Sequence, residues 1–363
     1  VDLKYVLEDF DYFILVTRFQ KVNTVYVHPK IFFGMIKNYR GNLFSAYLAS
    51  LIEQVSPKVI ITFVDNSEKY FELVKFFKNK IEFFAIQNGA RYEINKFKYQ
   101  FEKKLITKDK NKEFFITNYL CFGDFERDDF NKNKIYVENF IPVGSLRLSN
   151  FLKESKNLNL IHSGAKFDIL LVSDGITEET DKLWGTEDSE KNMIKVSKFI
   201  INYCIKKRKK LICSFKRLNS SKENLDKEIK YYKNRLSDEE FNYLIENSTL
   251  KFEKKIYLTY ELMLKSEITI SAFSTMLREN LSLGNKILAF NPMTNPIWNF
   301  PLKGLCSIGN CEYNDFETSI DKIFSLNNSE FLDSLNKPAN YIMKFDNLEP
   351  TYKKIKKIIL EKL

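Results

Sequence analysis

The sequence predicts two Rossmann-like α/β domains, and two observations carry that prediction. Short apolar runs alternate with longer segments of helical spacing in two separate series along the 363-residue chain. Strands that alternate with helices indicate a parallel sheet with helices on both faces. A polar stretch, residues 152–166, lies between the series and is the best linker candidate. We therefore expect an N-terminal domain over residues 1–151, a C-terminal domain over 167–345, and a final helix at 346–363 that packs back on the first domain.

The first series is read from the periodicity of its apolar residues. Its predicted strands are residues 12–16, 24–27, 58–64, 81–86, 114–122 and 135–143, and its predicted helices are 44–55 and 67–78. Residues 96–113 are rich in lysine, and we expect them to form an exposed excursion.

The second series is read in the same way. Its predicted strands are residues 167–172, 210–215, 251–254, 267–271, 287–290 and 304–308. Its predicted helices are residues 189–206, 222–236, 238–247, 257–265, 275–283, 315–324, 329–335 and 348–363.

Composition argues against several classes of protein. No run of about eighteen uncharged apolar residues is present, so no transmembrane helix is expected. The N-terminal stretch carries acidic residues inside its apolar run, which is not typical of a signal peptide. The five cysteines form no C-x-x-C pair and the chain has two histidines, so we expect reduced thiols and no metal site. A cytoplasmic protein without a resident cofactor fits these features best.

The chain is basic, with 57 Lys and Arg against 47 Asp and Glu, a net charge of +10. Its densest run is KKRKK at residues 206–210. One interpretation is a solvated helix C-terminus, where the helix dipole favours cations. The sharper interpretation is peripheral contact with an anionic inner membrane. Aromatic residues do not interleave with the basic ones as a nucleic-acid stacking surface requires, so no nucleic acid is expected as a partner.

Residues 267–290 have the pattern of a strand, a turn, a helix and a second strand. Ser271, Ser274 and Thr275 lie where the first strand ends and the helix begins, a position where backbone N–H groups and the helix dipole favour an anion. Gly284 closes the helix in the manner of a C′ residue. Glu279, in the early turns, is placed to accept hydrogen bonds from ribose hydroxyls. The alternative is an ordinary capped helix without a ligand.

Polar clusters follow most of the predicted strands, and ligands of open α/β sheets bind beyond the C-terminal ends of strands. In the first domain the clusters contain Gln87, Asn88 and Arg91, then Ser145 and Arg147; in the second they contain Asp174, then Lys216 and Arg217, then the 271–275 turn and Asn291. An N-G turn is the structural alternative for Asn88, and an exposed basic turn is the alternative for Lys216 and Arg217.

Asp174 is the best candidate for a catalytic carboxylate in the second domain. It follows the buried run ILLV and precedes Gly175. In that position it serves either as a general base for an acceptor hydroxyl or as a nucleophile in a retaining reaction. One alternative is that Asp174 has a structural role only, in a D-G turn or as a helix cap. Another is that Glu178, Glu179 or Asp181 is the catalytic carboxylate instead.

Lys216 and Arg217 follow the strand KLICSF and are placed to neutralise the phosphate of a leaving nucleotide. Asn291, after the strand at 287–290, would lie beside the donor base. The WNFP run at residues 298–301 is either a lid or a packing element, and we favour packing.

The segments FFAIQNGARYE, YLCFGDFER and FIPVGSLRLSNF, together with residues 267–290, carry a family resemblance. They resemble bacterial surface-carbohydrate and capsule glycosyltransferases of the GT-B class, close to the retaining β-Kdo transferases. The resemblance spans about residues 58–295. It implies two Rossmann-like domains that face each other across a cleft, with Asn88, Arg91 and Glu93 near the acceptor or the donor carboxylate and Glu93 as a second catalytic candidate.

The same resemblance implies transfer of an acidic sugar, Kdo or a related ulosonic acid, from a CMP-linked donor to a glycan or lipid-linked acceptor. The nucleotide sugar is then a co-substrate, and no metal is involved. One departure is clear: the Lys-Pro-His-Pro motif of related polymerases is replaced here by Phe215-Lys216-Arg217-Leu218. A UDP-sugar transferase, a CDP-polyol phosphotransferase and a non-catalytic nucleotide- or glycan-binding protein on the same scaffold stay open as alternatives.

Overall fold

The computed structural model describes residues 2–15, 25–65, 68–77, 80–90, 116–132, 136–155, 165–178, 189–253, 255–293 and 298–363. The chain divides into two compact units. The first comprises Val1–Asn88, Ile94–Asn150 and Lys344–Leu363, and the second comprises Gly89–Glu93 and Phe151–Met343. Each unit contains its own parallel sheet, which confirms the predicted class of two Rossmann-like α/β domains.

The described part of the first unit contains four strands and several helices. The strands are β1 (Val59–Thr62), β2 (Glu82–Ile86), β3 (Ile116–Cys121) and β4 (Val137–Pro142). The helices are α1 (Lys4–Leu7), α2 (Pro29–Asn38), α3 (Leu43–Val55), α4 (Glu68–Phe77), α5 (Asp124–Lys132), α6 (Leu146–Ser155), whose last residues belong to the second unit, and the final helix α14 (Thr351–Leu360).

The second unit has the same type of alternation. Its strands are β5 (Phe167–Val172), β6 (Leu211–Ser214), β7 (Ser266–Ser271), β8 (Lys286–Phe290) and β9 (Ser307–Ile308). Its α-helices are α7 (Ser189–Lys207), α8 (Lys222–Lys233), α9 (Asp238–Glu246), α10 (Leu258–Leu264), α11 (Thr275–Ser282), α12 (Tyr313–Ser325) and α13 (Asn328–Asp333). Short 3₁₀ helices lie at Thr249–Lys251 and Ala339–Tyr341.

The two sheets differ in strand order. The first has the sequential order β1-β2-β3-β4 among the described strands. The second has the order β6-β5-β7-β8-β9, so β5 pairs with β6 on one side and with β7 on the other. The chain therefore changes its direction of travel across the second sheet between β5 and β7. Such a switch point opens a crevice beyond the C-terminal strand ends, where ligands of this architecture bind.

Alternation along β2 shows how the first sheet is covered on both faces. Phe83 and Ala85 join a core with helices α3 and α4, whereas Phe84 and Ile86 join a second core. Successive side chains of a strand point to opposite faces, so these two cores lie on opposite sides of the sheet. Ile355 of α14 is fully buried in the second core, which places the last helix against the first sheet.

The segment that leads into α14 is fastened to the ends of β3 and β4. The Lys344 N–H donates to the Phe122 carbonyl at 2.8 Å, and the Thr351 hydroxyl donates to the Val143 carbonyl at 2.9 Å. Gly144 has a φ of +91°, and a Cβ on it would lie 2.1 Å from the Lys344 carbonyl oxygen. A residue without a side chain is therefore required where the C-terminal segment crosses this loop.

Several sequence-based predictions are corrected by the structure. The described residues of the predicted strands 12–16 and 24–27 are not strands, and apart from the partly buried Leu15 their apolar side chains are exposed, with Val27 at 90%. A strand was expected at residues 251–254, but the structure has a 3₁₀ helix at residues 249–251. Helices α2, α5 and α6 were not predicted. The lysine-rich excursion at 96–113 and most of the linker candidate lie outside the described residues.

No helix within the described ranges is both long enough and apolar enough to span a membrane.

Candidate functional site

Three loops follow neighbouring strands at the switch point of the second sheet. The loop after β5 contains Asp174, the loop after β6 contains Lys216 and Arg217, and the loop after β7 leads into α11. Because β5 lies between β6 and β7, its loop contacts both of the others. The structure thus brings together the residues that the sequence nominated from three separate stretches of this unit.

Asp174 is hydrogen-bonded to the loop after β7. Its Oδ2 accepts the Ala272 N–H and its Oδ1 accepts the Phe273 N–H, each at 3.2 Å. The Ser271 hydroxyl lies 3.3 Å from both carboxylate oxygens but only 2.7 Å from the Val172 carbonyl. A hydroxyl has one proton, so the shorter contact is the better donor bond, and each Asp174 oxygen keeps a lone pair for a further partner.

The environment of Asp174 raises the proton affinity of its carboxyl group. Burial raises the pKa of the Asp174 carboxyl above its ordinary value, and this effect outweighs the opposing influence of the Lys216 ammonium and the two amide donors. The side chain is only partly covered from solvent. A carboxylate with a raised pKa is a stronger base than an ordinary aspartate, which suits acceptance of a proton from a substrate.

The two cations of the β6 loop extend over the β5 loop. Lys216 Nζ donates to the Asp174 carbonyl at 3.2 Å, and Arg217 Nε donates to the Gly175 carbonyl at 3.1 Å. Gly175 has a φ of +69°, and a Cβ on it would lie 2.7 Å from Lys216 Cδ. The close approach of the two loops therefore depends on this glycine, and it concentrates positive charge at the switch point.

A buried carboxylate that sequence reasoning missed, Glu228 of α8, links two of these loops. It accepts the N–H groups of Lys216 at 3.3 Å and Arg217 at 2.9 Å, and it also accepts the Ser173 hydroxyl. Tyr232 donates its hydroxyl to Ser173 Oγ at 3.1 Å. Glu228 is fully buried, and that burial raises the pKa of its carboxyl. Its position on the inward face of α8, three residues after Leu225, was the available sequence signal.

The start of α11 has the local structure that the sequence predicted. Ser274 is the N-cap residue, and its hydroxyl oxygen accepts the Met276 N–H at 3.3 Å. Thr275 Oγ1 accepts the N–H of Ala90, which belongs to the same unit, at 2.8 Å. Gly284 has a φ of +84°, as its predicted C′ role requires.

Glu279 lies on α11 but is buried, with 2% of its surface exposed. The Tyr260 hydroxyl is 3.0 Å from both of its carboxylate oxygens, and the Tyr260 ring stacks on Phe151 at 5.1 Å. The Tyr260 hydroxyl therefore orients the Glu279 carboxylate within the packed interior of this unit.

The described residues on either side of the 294–297 gap, Asn291 and Trp298 among them, are packed. The Asn291 side chain donates to Asn299 Oδ1 at 2.8 Å and accepts the Met293 N–H at 3.0 Å. Trp298 is buried and its ring packs on Phe273, with centroids 4.8 Å apart. The packing interpretation of the WNFP run agrees with this contact, and any contact between Asn291 and a ligand would go through its backbone.

The polar residues nominated in the first unit mostly fix its loops. Gln87 is buried, donates to Glu126 at 3.1 Å and accepts the Phe122 N–H at 2.8 Å. Asn88 donates its side-chain amide to the Phe63 carbonyl at 2.9 Å, and its N–H is 3.3 Å from Asp65. These contacts join the ends of three strands of the first sheet.

The second polar cluster of the first unit lies at the start of α6. Ser145 is buried and accepts the Leu148 N–H at 3.1 Å. Arg147 is more exposed and pairs with Asp2 at 3.3 Å. Arg91 and Glu93, also nominated from the sequence, lie outside the described residues.

The basic run at 206–210 is largely balanced by acidic neighbours. Lys206 pairs with Glu317 at 2.8 Å, Lys207 pairs with Asp321 at 2.7 Å, and Lys209 lies 3.5 Å from Asp168. The predicted contact of this run with a membrane stays a prediction.

Cys121, Cys204, Cys213 and Cys306 are buried free thiols, and Cys311 is a partly buried one. Burial raises the pKa of the Cys204 and Cys306 thiols to about 12, which makes them poor nucleophiles. Across the described ranges, no three His, Cys, Asp or Glu side chains are grouped to hold a metal ion.

Comparison with known proteins gives similarity only at the level of solved structures, since no family model and no curated protein matches the chain. One similar structure is the UDP-GlcNAc 2-epimerase from Neisseria meningitidis bound to UDP-GlcNAc, with 13% identity, 94% of this chain and 83% of that chain covered, and a TM-score of 0.45. Another is the sucrose-phosphate synthase from Thermosynechococcus elongatus (10% identity, 87% and 73% covered, TM-score 0.42). A third is the wall teichoic acid polymerase TagF (12% identity, 89% and 75% covered, TM-score 0.42).

Proposed function

We propose that this protein is a glycosyltransferase that uses a nucleotide-linked sugar as donor, with its donor site at the C-terminal edge of the second sheet. The observation that carries the proposal is the meeting of three loops at the switch point between β5 and β7. One loop provides the carboxyl group of Asp174, the second provides the cations Lys216 and Arg217, and the third opens helix α11. A cation pair beside a helix N-terminus suits a phosphate group.

Each proposed donor contact has a distinct chemical role. Lys216 and Arg217 neutralise the charge that develops on the departing phosphate, assisted by the N-terminus of α11 with Ser274 and Thr275. Ser271 is buried and its hydroxyl donates to the Val172 carbonyl, so we assign it a supporting role in the loop. Glu279, oriented by Tyr260, accepts ribose hydroxyls. The backbone at Asn291 contacts the base. In this scheme the protein's own cations supply the charge stabilisation, and a divalent metal is not required.

The reaction that follows is a displacement at the anomeric carbon. The oxygen of an acceptor hydroxyl forms a bond to that carbon, and the bond from the carbon to the phosphate oxygen breaks, so the nucleotide leaves with the electron pair. In the direct form of the reaction, Asp174 accepts the hydroxyl proton. In the two-step form, a carboxylate first forms a covalent glycosyl intermediate, which the acceptor then replaces.

We propose a CMP-linked ulosonic acid such as Kdo as the donor, and a glycan or lipid-linked oligosaccharide of bacterial surface polysaccharide assembly as the acceptor. This assignment rests on the sequence resemblance. Arg91 and Glu93 are acceptor-contact candidates from the sequence alone. We also assign acceptor recognition to the first unit, where the exposed Arg147 is the candidate for contact. Gln87, Asn88 and Ser145 act there by holding the loops in place.

A non-catalytic nucleotide-binding protein is the second candidate. The observation that favours it is the pair of amide hydrogen bonds from Ala272 and Phe273 to Asp174, because such bonds also suit a carboxylate whose role is to fix a loop. Under this alternative Asp174→Asn would weaken nucleotide binding, and the wild type would not turn a donor over.

The donor site is tested by a thermal-shift panel of CMP, UDP, CDP, GDP and ADP, with and without magnesium. A ligand that binds only the folded protein stabilises it by mass action and so raises its Tm. At a hundredfold excess over Kd, the gain in the free energy of unfolding is about 2.7 kcal/mol. We expect CMP to stabilise the wild type without metal. The double variant Lys216→Gln/Arg217→Gln should lose at least about tenfold in CMP affinity, because charge-assisted hydrogen bonds contribute roughly 1.5–3 kcal/mol each.

The matched control is Arg208→Gln/Lys210→Gln. These two cations come just before β6, whereas Lys216 and Arg217 come just after it, so both variants remove the same charge at opposite ends of one strand. Equal loss in both variants would indicate nonspecific attraction and contradict the site. Selective stabilisation by UDP would move the donor assignment to a UDP-sugar, and selective stabilisation by CDP would move it to a CDP-polyol.

A further inference from the structure

Among its described residues, the first unit has an exposed apolar surface. On α2 and the residues after it, five large apolar side chains are more than half exposed: Phe32 at 61%, Phe33 at 68%, Ile36 at 64%, Tyr39 at 53% and Leu43 at 65%. We call this group the aromatic face. Single exposed apolar residues are normal on protein surfaces, but a contiguous group marks an interaction site.

The orientation of the aromatic face is fixed by the other side of α2. Ile31 is buried against α3, and the Asn38 amide donates to Glu53 of α3 at 3.0 Å. A Cβ on Gly34 would lie 2.9 Å from Ser50 Oγ, so the two helices approach closely at this glycine. Helix α2 therefore packs through Ile31, Gly34 and Asn38, and the aromatic face is not required for that packing.

Neighbouring segments extend the apolar surface. Tyr26 is held by its N–H, which donates to the Tyr47 hydroxyl at 2.8 Å, and its ring lies 5.2 Å from the ring of Phe13. Further exposed apolar residues in these segments are Tyr12 (54%), Phe13 (45%), Ile14 (65%), Val25 (62%) and Val27 (90%).

The charge of this part of the chain is one-sided. Residues 12–52 contain no Asp or Glu, although the whole chain has 47 acidic residues in 363. The same stretch carries Arg18, Lys21, Lys30, Lys37 and Arg40. Lys37 pairs with Glu53 at 3.2 Å, and the Arg40 guanidinium lies 4.4 Å from the ring centre of Phe76. A surface that combines exposed aromatic residues with an excess of cations over acids is complementary to an anionic partner.

We propose that the aromatic face docks on an anionic phospholipid surface, with α2 lying in the headgroup region. Aromatic and aliphatic side chains enter the boundary of the acyl chains, and basic neighbours attract anionic headgroups. Helix α2 has 10 residues, about 15 Å at 1.5 Å per residue, so it lies on the bilayer and does not span it.

The same observations disfavour a second copy of this chain as the partner. In a two-fold symmetric dimer each surface meets its own copy, so Lys30 and Arg40 would be brought near the same cations of the partner. The proposed docking surface also differs from the run at 206–210, where Lys206, Lys207 and Lys209 pair with acidic side chains.

The proposal is tested by flotation of the full chain with vesicles of phosphatidylcholine alone or mixed with phosphatidylglycerol. We expect the wild type to float with the anionic vesicles, less at roughly 1 M salt, where the Debye length is about 3 Å. Phe32→Ser/Phe33→Ser/Ile36→Ser should reduce the bound fraction at least about tenfold, because it removes apolar area that would enter the bilayer. Lys30→Glu/Arg40→Glu should reduce binding to anionic vesicles selectively.

Two matched controls separate docking from general effects. Ile256→Ser/Leu348→Ser/Leu360→Ser removes three other exposed apolar side chains, and Arg208→Glu/Lys210→Glu reverses two exposed cations of the basic run. Both controls should float like the wild type, and circular dichroism with a melting curve verifies that each variant is folded.

Three results would overturn the proposal. The first is a wild type that stays unbound with anionic vesicles at low salt, and the second is an aromatic-face variant that floats as well as the wild type. The third is a dimer, measured by sedimentation, that the aromatic-face variant converts to a monomer while no vesicle binding occurs. That last result would assign the surface to self-association.

Discussion

At the scale of single residues, two carboxyl groups, one partly buried and one fully buried, organise the loops at the edge of the second sheet. Asp174 joins the β5 loop to the β7 loop, and Glu228 joins the β5 loop to the β6 loop. Asp174 was visible in the sequence because it directly follows a buried strand and precedes a glycine. Glu228 was not, because its partners are backbone N–H groups and a serine hydroxyl from segments that the sequence does not connect.

Glu228→Gln tests the role of this second carboxyl group. A glutamine has one acceptor oxygen in place of two, so it cannot accept both the Lys216 and Arg217 N–H groups and the Ser173 hydroxyl. Leaving a buried donor unsatisfied costs about 1–3 kcal/mol, and we expect a loss of that size in urea unfolding. Asp226→Asn, on the same helix at an exposed position, is the control and should stay within about 0.5 kcal/mol of the wild type.

The loss should also depend on pH, with a sign set by the raised pKa of Glu228. Because the folded-state pKa lies above the unfolded one, the wild type gains stability from this group at pH values below the unfolded pKa. That gain is lost as the pH rises through the folded pKa. The stability difference between wild type and Glu228→Gln should therefore be largest in acid and should shrink towards neutral pH. A difference that grows with pH would contradict the assignment.

At the scale of elements, apolar periodicity predicted most of the second unit. The strand at residues 167–172 has the predicted bounds, and helix α11 begins and ends within a residue of its prediction. Apolar periodicity gave wrong or missing elements in segments whose apolar residues are exposed. Helix α2 exposes Phe32, Phe33 and Ile36 while Ile31 is buried, so its large apolar residues do not mark the packed side. The runs near residues 12–14 and 25–27 resembled buried strands for the same reason.

Gly144 tests how the C-terminal segment is fastened to the first sheet. Gly144→Ala adds a Cβ that would lie 2.1 Å from the Lys344 carbonyl oxygen, at a φ of +91°. We expect a loss of about 3 kcal/mol or more in urea unfolding, from backbone strain and overpacking together. Gly41→Ala is a matched control, because Gly41 has a φ of +87° with nothing within 4 Å of the added Cβ.

The control should lose only about 1–2 kcal/mol, the cost of a left-handed conformation for a residue with a side chain. Equal losses in the two variants would mean that the contact between Gly144 and Lys344 does not hold the C-terminal segment in place.

At the scale of the whole molecule, two α/β units carry different kinds of surface. The second unit gathers a carboxyl group and two cations at its switch point. The first unit carries the aromatic face and a 41-residue stretch, 12–52, without acids. The sequence predicted the group at the switch point, because strand ends can be located from apolar periodicity. It did not predict the aromatic face, since the exposure of an apolar side chain depends on which face of its helix the rest of the unit covers.

The central claim is that the site in the second unit turns over a donor, and nucleotide release measures this most directly. Purified protein is incubated with a CMP-linked ulosonic acid and acceptor glycan, and released CMP is followed against a protein-free control. We expect release above the control rate, and Asp174→Asn should lower it by about 10²–10⁴-fold, the usual contribution of a general base. Asp168→Asn is the control, because Asp168 lies on β5 at the end opposite to the Asp174 loop, and this variant should stay active.

The CMP-induced shift in Tm separates catalysis from loop support in the same variants. If Asp174→Asn retains that shift and loses release, Asp174 acts in the reaction and the account holds. If CMP stabilises the wild type but no CMP-, UDP- or CDP-linked donor releases its nucleotide, the protein is a binding module and the glycosyltransferase assignment is wrong.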